Sequence, residues 1–522
     1  MTIALIPVLF VVLVPATSEY RLLVDTQLWL GLRNTMLLIG GVGLISSFFG
    51  ATAAWLVSIY EFKGRQLVSW LLMLPLAVPS YILAYVFVDV LRYDSPIQDI
   101  AYAVLGRYLN PMSLTSAVML FSLGLYPYVY VVVRSFLSRQ SASMFDAARL
   151  FGVKGVRLFA GYGLPLMRAS IISSVVLVIM EVLSDYGLVD YFGIVTFTTL
   201  IFGSWFRFRQ IQTALRFSLW LLVVVFVVLG AERLFSNKRR FAFATTKVRS
   251  LRRLRLSTTQ QGFVWLYLGS LLLISFGVPM LQLFSWALQT YQLSVNFNLI
   301  QAVLSTIVVS VGAGLAILVL TLLLANIGRH RPTVLQTILL RITLFGYSIP
   351  GAVVAVVMLL LFQRIDQGID AVMIGGFGLP RGLFLTGTLL MLLSAYVVRF
   401  MAIGYQSIES NYQKIGTNFT NASYLLGKGK LATLIQVDVP MLRQGMASAM
   451  ILVVIDIIKE LPLTLVLRPF NFNTLATLTY RYAAEEQVRM GAVAALIMIG
   501  LSSVIIYVIT RPRKEVRYGR GN

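Results

Sequence analysis

Four acids stand in stretches that are otherwise apolar. "EVLSD" places Glu181 and Asp185 four residues apart, and "DIIKE" does the same for Asp456 and Glu460. That spacing puts both carboxylates of a pair on one face of a helix. The two pairs are 275 residues apart, so Glu181 maps onto Asp456 and Asp185 onto Glu460. At 1.5 Å per residue, Glu181 and Asp456 lie roughly 15–20 Å into their helices, and their partners about 6 Å further out. Ionisable residues inside a membrane mark substrate and ion pathways. Four carboxylates about one axis suit a hard, oxygen-seeking cation such as Fe(III). The metal contact at Glu181, Asp185, Asp456 and Glu460 has to be transient, because a transported ion must leave. Sulfate or phosphonate would be repelled. The competing structural reading is that Lys459, between Asp456 and Glu460, neutralises part of the charge and the acids only bond to neighbouring helices.

The elements that must position these acids are membrane helices. The 522 residues are 58% hydrophobic and 12% charged, with a mean hydropathy of +0.84. Several apolar runs exceed about 18 residues without alternation, which favours helices over a barrel and points to an all-α polytopic membrane protein. The net charge of +23 belongs to cytoplasmic loops rather than to nucleic acid binding. Zero cysteines exclude disulfides and thiolate metal sites, and the single histidine, His330, sits in the basic loop "NIGRHRP". Met1–Ala16 lacks a basic leader region and reads as a first span.

Twelve spans are expected, near 1–17, 31–58, 67–91, 113–137, 168–187, 213–234, 262–285, 299–326, 334–362, 384–403, 444–465 and 488–510. The connector Arg233–Arg255 holds nine Lys and Arg and no acid, and the tail "RPRKEVRYGRGN" holds five. Both belong in the cytoplasm, so both termini are placed inside. Loops 92–112, 188–212, 363–383 and 466–487 then fall outside. The expected organisation is a six-span repeat over 1–235, a basic linker over 236–261, a second six-span repeat over 262–510 and a cytoplasmic tail over 511–522.

The 275-residue offset extends to a patterned cytoplasmic loop. "DAARLFG" overlies "NASYLLG", Gly152 falls on Gly427, Pro165 on Pro440 and Arg168 on Arg443. Beyond the acids, "VTFTT" (195–199) overlies "FNFNT" (470–474); these hydroxyls and amides either line the mouth or cap helix ends. Two halves in the same orientation form a parallel repeat around a central pathway. Asp146 suits a helix N-terminus, Ala147 and Ala148 permit close contact, and Gly152 can end the helix in left-handed geometry. Pro165 is expected to start the next helix. Asn421 can cap a helix but carries no charge.

Asp146, Ala147, Ala148, Gly152 and Pro165 resemble the EAA loop of ABC-importer permeases, with Asp for Glu. Asn421, Ala422, Ser423, Gly427 and Pro440 keep its spacing without the acid. The fused two-half layout, with "EVLSDYG" and "KELPLTLVLRPFNFNTLAT", is most similar to ferric-iron permeases. The resemblance implies a MetI-like type I permease fold in a bacterial plasma membrane. It implies two copies of an ABC ATPase subunit seated on the two loops, with ATP and Mg on those subunits and no cofactor on this chain. An extracytoplasmic substrate-binding protein would deliver cargo, and membrane lipid would surround the chain. No covalent chemistry is expected: there is no phosphate-binding G-x-x-x-x-G-K-[ST], and "LGKGKL" lacks its spacing. Thiamine or another small solute is the alternative cargo. A proton-coupled secondary transporter is the alternative mechanism. A membrane-embedded glycosyltransferase would need a D-x-D or histidine cluster that is not found.

Overall fold

In hydrocarbon every backbone N–H and C=O must bond within its own segment, so apolar runs of this length fold as helices. The computed structural model describes residues 18–138, 153, 155–236, 253–329, 334, 346, 349–377, 382–415 and 418–510. The first half contains α1 (Trp29–Ile59), α2 (Ser80–Val90), α3 (Leu114–Ser138), α4 (Leu164–Ser184) and the short α5 (Gly187–Tyr191). The second contains α6 (Thr258–Leu272), α7 (Gly351–Phe377), α8 (Leu389–Ile415), the short α9 (Asn418–Leu425), α10 (Val439–Ile458) and the short α11 (Pro462–Leu467). Two-residue strands β1 (Tyr60–Glu61) and β2 (Leu254–Arg255) pair in parallel and tie the linker to the end of α1.

Nine helices among the described residues are long and apolar enough to cross a membrane, or eleven if each of two bent pairs is one span. These agree with about twelve spans in two repeats, and single boundaries differ. The expected span 1–17 lies outside the described residues. The span expected over 67–91 is broken: Arg65–Ala77 and Ser80–Val90 meet at 94°. The cause is Pro79, which drives Val78 into extended backbone (φ −96°, ψ 113°). Of the span expected over 334–362, most of 334–348 lies outside the described residues, and the rest falls in α7, which begins at Gly351 and runs to Phe377, well into the loop expected over 363–383. That extension has a polar anchor. Buried Asp366 accepts the backbone N–H groups of Leu385 (2.9 Å) and Thr386 (2.8 Å), folding the chain back after the helix.

The repeat is visible element by element. A turn at Gly155–Leu158, a π-helical turn at Phe159–Gly163 and then α4 are matched by Lys430–Thr433, Leu434–Asp438 and α10. The starts of α3 and α8 keep the same 275-residue register. Pro165 and Pro440 do not open a new helix as expected. Each lies inside a continuous helical path, just after a π turn, whose wider winding accommodates a ring that cannot donate a backbone hydrogen bond.

Candidate functional site

The acids gather in one cavity of about 100 Å³. Glu181, Asp185, Asp456 and Glu460 all line it, together with Lys459 and Arg399. Its walls come from both repeats: α3, α4 and the break before α2 on one side, α8 and α10 on the other. Four acids against two bases leave a formal excess of two negative charges. The acids do not converge into a cage: among the described residues no group of three or more is arranged to hold a metal ion.

The helix-face expectation needs correction. α4 ends at Ser184, and Asp185 is already extended (φ −71°, ψ 138°). α10 ends at Ile458, with Glu460 beyond it. Only Glu181 and Asp456 are helical. The second acid of each pair instead opens the following short helix, where an acceptor satisfies an orphan N–H. Leu188 N donates to Asp185 Oδ1 at 3.0 Å, and Leu463 N to Glu460 Oε1 at 3.1 Å. Glu181 accepts the Tyr128 hydroxyl at 3.3 Å. Lys459 Nζ lies 3.2 Å from Asp456 Oδ1, the ion pair considered from sequence.

The two repeats hold the capping acid with different groups. In the first, the Ser80 hydroxyl donates to Asp185. In the second, Arg399 Nη1 lies 3.3 Å from Glu460 Oε1, both side chains buried. Aligning "VPS" (78–80) with "IPG" (349–351) places Ser80 on Gly351, and the 275 offset places Arg399 on Gly124. Each half thus has one polar partner and one glycine, in exchanged positions. The exchange is steric, since a Cβ on Gly351 would collide with the Arg399 guanidinium. Arg399 was missed from sequence. A lone cation in the apolar run "AYVVRFM" was the available signal.

The "VTFTT" and "FNFNT" stretches cap helices. Thr196 with Thr199, and Thr474 with Thr477, each form a reciprocal capping box. Thr196 therefore corresponds to Thr474, and the register advances by three residues beyond the acids.

Of the two loops expected to couple to an ATPase, the first has Asp146, Ala147, Ala148 and Gly152 outside the described residues. The second loop is described. Gly427 ends α9 in left-handed backbone (φ +79°). Its N–H bonds Tyr424 O at 2.9 Å and that of Lys428 bonds Ser423 O at 3.2 Å, the double closure of a Schellman motif. Asn421 does not cap the helix, which begins at Asn418. Asn421 and Ala422 are exposed, whereas Ser423 is buried, with its hydroxyl 2.9 Å from that of Thr433. Buried Asp438 accepts the Thr420 hydroxyl at 3.1 Å. These two bonds brace α9 against the base of α10 and leave Phe419, Leu425 and Leu426 exposed.

One family model, that of the binding-protein-dependent transport system inner membrane component, matches residues 46–240 and again 317–514. The chain is 21% identical over 514 residues to the Haemophilus influenzae "Fe(3+)-transport system permease protein FbpB 2", covering 97% of this chain and 95% of that one. It is also 25% identical over 151 residues to the "Molybdenum transport system permease protein ModB" of the same organism, covering 29% of this chain and 63% of that one. Two family matches on a helical chain with a 275-residue structural repeat lead to one conclusion: this is a two-repeat, MetI-like, multi-pass inner-membrane permease of the binding-protein-dependent ABC importers.

Proposed function

We propose that the chain translocates ferric iron through the cavity between its repeats. The observation that carries this is the excess of carboxylates over cations drawn from both repeats around one space. An oxyanion would meet net repulsion there, and a trivalent cation net attraction. The name of the full-length FbpB relative points the same way. The shorter ModB relative has a name that points to molybdenum, and the cavity's negative charge supports the ferric reading over it.

The same reading assigns the energy input. Two ATPase subunits carrying ATP and Mg seat on the loops at 139–166 and 404–441, with both chain termini on that side. The exposed Phe419, Leu425 and Leu426 on braced α9 supply an apolar face for such a partner. A binding protein delivers the ion at the opposite face. Uptake of labelled Fe(III) and of molybdenum as its oxyanion, in cells carrying Glu181→Gln or Asp456→Asn, tests the assignment. Iron uptake should fall in both. Unchanged iron uptake, or molybdenum uptake that depends on the chain, overturns it.

A further inference from the structure

A second cavity is larger than the one between the acids. It has a volume of about 670 Å³ and lies at the basic end of the bundle, beside the β1–β2 pairing. That size falls within the range of about 300–1,000 Å³ typical of pockets for drug-sized molecules. Phe48, Trp55 and Leu56 of α1 form one wall, and Val264 of α6 another. The remaining walls are Val156 and its neighbours, which lead from the first coupling loop into α4, and the linker strand β2.

Of the polar groups that line it, Thr52, Tyr60, Gln260 and Tyr267 are neutral and Arg255 alone is charged. Arg255 lines the cavity and is exposed, and no carboxylate pairs with it among the described residues. Arg253 and Arg65 already share Glu61, at 3.5 Å and 3.3 Å. Lys63 lies in the adjoining turn, where its carbonyl accepts the Trp265 indole N–H at 3.1 Å. Tyr267, whose hydroxyl lies 2.5 Å from that of Thr52, adds an aromatic with a polar tip at the same depth. Aromatics with one wet end mark the level of lipid headgroups, and basic pockets between membrane helices hold anionic headgroups. An apolar hollow that opens at this level, with the Arg255 guanidinium at its edge and no carboxylate paired to it among the described residues, fits one ligand chemistry.

We propose that this cavity is a binding site for an anionic phospholipid, its acyl chain among Phe48, Trp55, Val156 and Val264 and its phosphate at Arg255. The lipid would wedge α1 against the segment that carries coupling motion into α4. The site is independent of which cargo the permease moves.

The test uses the purified full chain in nanodiscs of mixed phosphatidylglycerol and phosphatidylcholine, with retained lipid counted by native mass spectrometry. The parent chain should retain phosphatidylglycerol preferentially. Arg255→Gln should weaken that retention about fivefold, the effect of one interfacial cation, and Arg255→Lys should preserve it. Val156→Trp, at an exposed position, should fill the hollow and lower retention of both lipids. No preference in the parent chain, or retention unchanged by both Arg255→Gln and Val156→Trp, overturns the proposal and leaves the hollow to the chain's own segments or to a protein partner.

Discussion

Substituting Gly351 isolates the exchange of partners between the repeats. A methyl group at residue 351 would occupy the position of the Arg399 guanidinium, which lies 3.3 Å from Glu460. Gly351→Ala should therefore separate two buried charges while leaving both in place. Breaking a buried pair costs about 3–5 kcal/mol, because the charge left behind remains desolvated. Alanine returns about 1 kcal/mol of helix propensity at most, so a net loss of about 2–4 kcal/mol is expected. Ser80→Ala, which removes one hydroxyl from Asp185, should cost less, about 1.5–3 kcal/mol for a hydrogen bond to a charged group. The decisive variant is Gly351→Ser combined with Arg399→Gly, which rebuilds around Glu460 the arrangement the first repeat uses around Asp185. Thermal unfolding of the purified chain in nanodiscs reads all of these. The double variant should be more stable than either single substitution, a coupling of at least about 1 kcal/mol between residues in contact. If the double variant instead loses the sum of the two singles, or if Gly351→Ala leaves the transition unmoved, the reasoning from the repeat register is wrong.

Other consequences follow from the same structure. Asp89 receives the Gln282 amide at 2.7 Å and lies 3.7 Å from Arg489, joining the two halves at the end of α2. The chain has no cysteine, so a single Ser184→Cys in the cavity reports access cleanly; Arg489→Gln should speed its labelling by an impermeant thiol reagent added from the Asp89 side, and an unchanged rate removes the clasp. Gly427→Val forces a β-branched residue into left-handed backbone at a cost of about 1–2 kcal/mol, and growth on limiting iron should fall. A bulky residue at Gly152 should cut growth more deeply, because only the first loop has the acid Asp146; equal losses would show that the two loops couple alike. In the exposed turn after α2, the hydrogen bond from Arg92, at 2.5 Å, holds the Asp94 carboxyl below its usual range. A depressed folded-state pKa stabilises above the unfolded value and is lost as pH falls through the folded one. Arg92→Gln should raise the Asp94 midpoint towards about 3.9, read by carboxyl NMR of the labelled chain.

Much of this was legible in the sequence, and the misses have two causes. Apolar runs and the 275-residue offset identify the helices, the repeat and the four acids, because hydrophobicity and duplication survive as patterns along the chain. Backbone breaks are written more faintly. Asp185 and Glu460 look like helical residues by spacing, yet each terminates its helix and caps the next, since a carboxylate four residues on can satisfy the orphan N–H of a new turn as readily as share a face. Pro165 and Pro440 look like helix starts, yet a π turn carries the helix through them. Arg399 escaped because its partner Glu460 is 61 residues away, a distance over which no local pattern acts.

The exchange of Ser80 and Gly124 for Gly351 and Arg399 also bears on how a symmetric scaffold acquires a directed pathway. Symmetry fixes where the backbone breaks and where each capping acid sits. It does not fix the charge around them. Arg399 and Lys459 both belong to the second repeat, and both pair with its acids. The residues aligned with them in the first repeat are Gly124 and Ser184. Counted by repeat, the first contributes two acids and no base to the cavity, although Lys459 also acts on Glu181. A cation entering between the halves would be drawn off the pseudo-symmetry axis towards α4, the helix that follows the loop proposed to seat an ATPase. Restoring charge balance there, with Ser184→Lys, should depress iron uptake at least as strongly as Glu181→Gln, whereas Lys459→Ser should leave uptake measurable while destabilising Asp456. Equal effects at residues 184 and 459 would mean that the pathway is shared evenly.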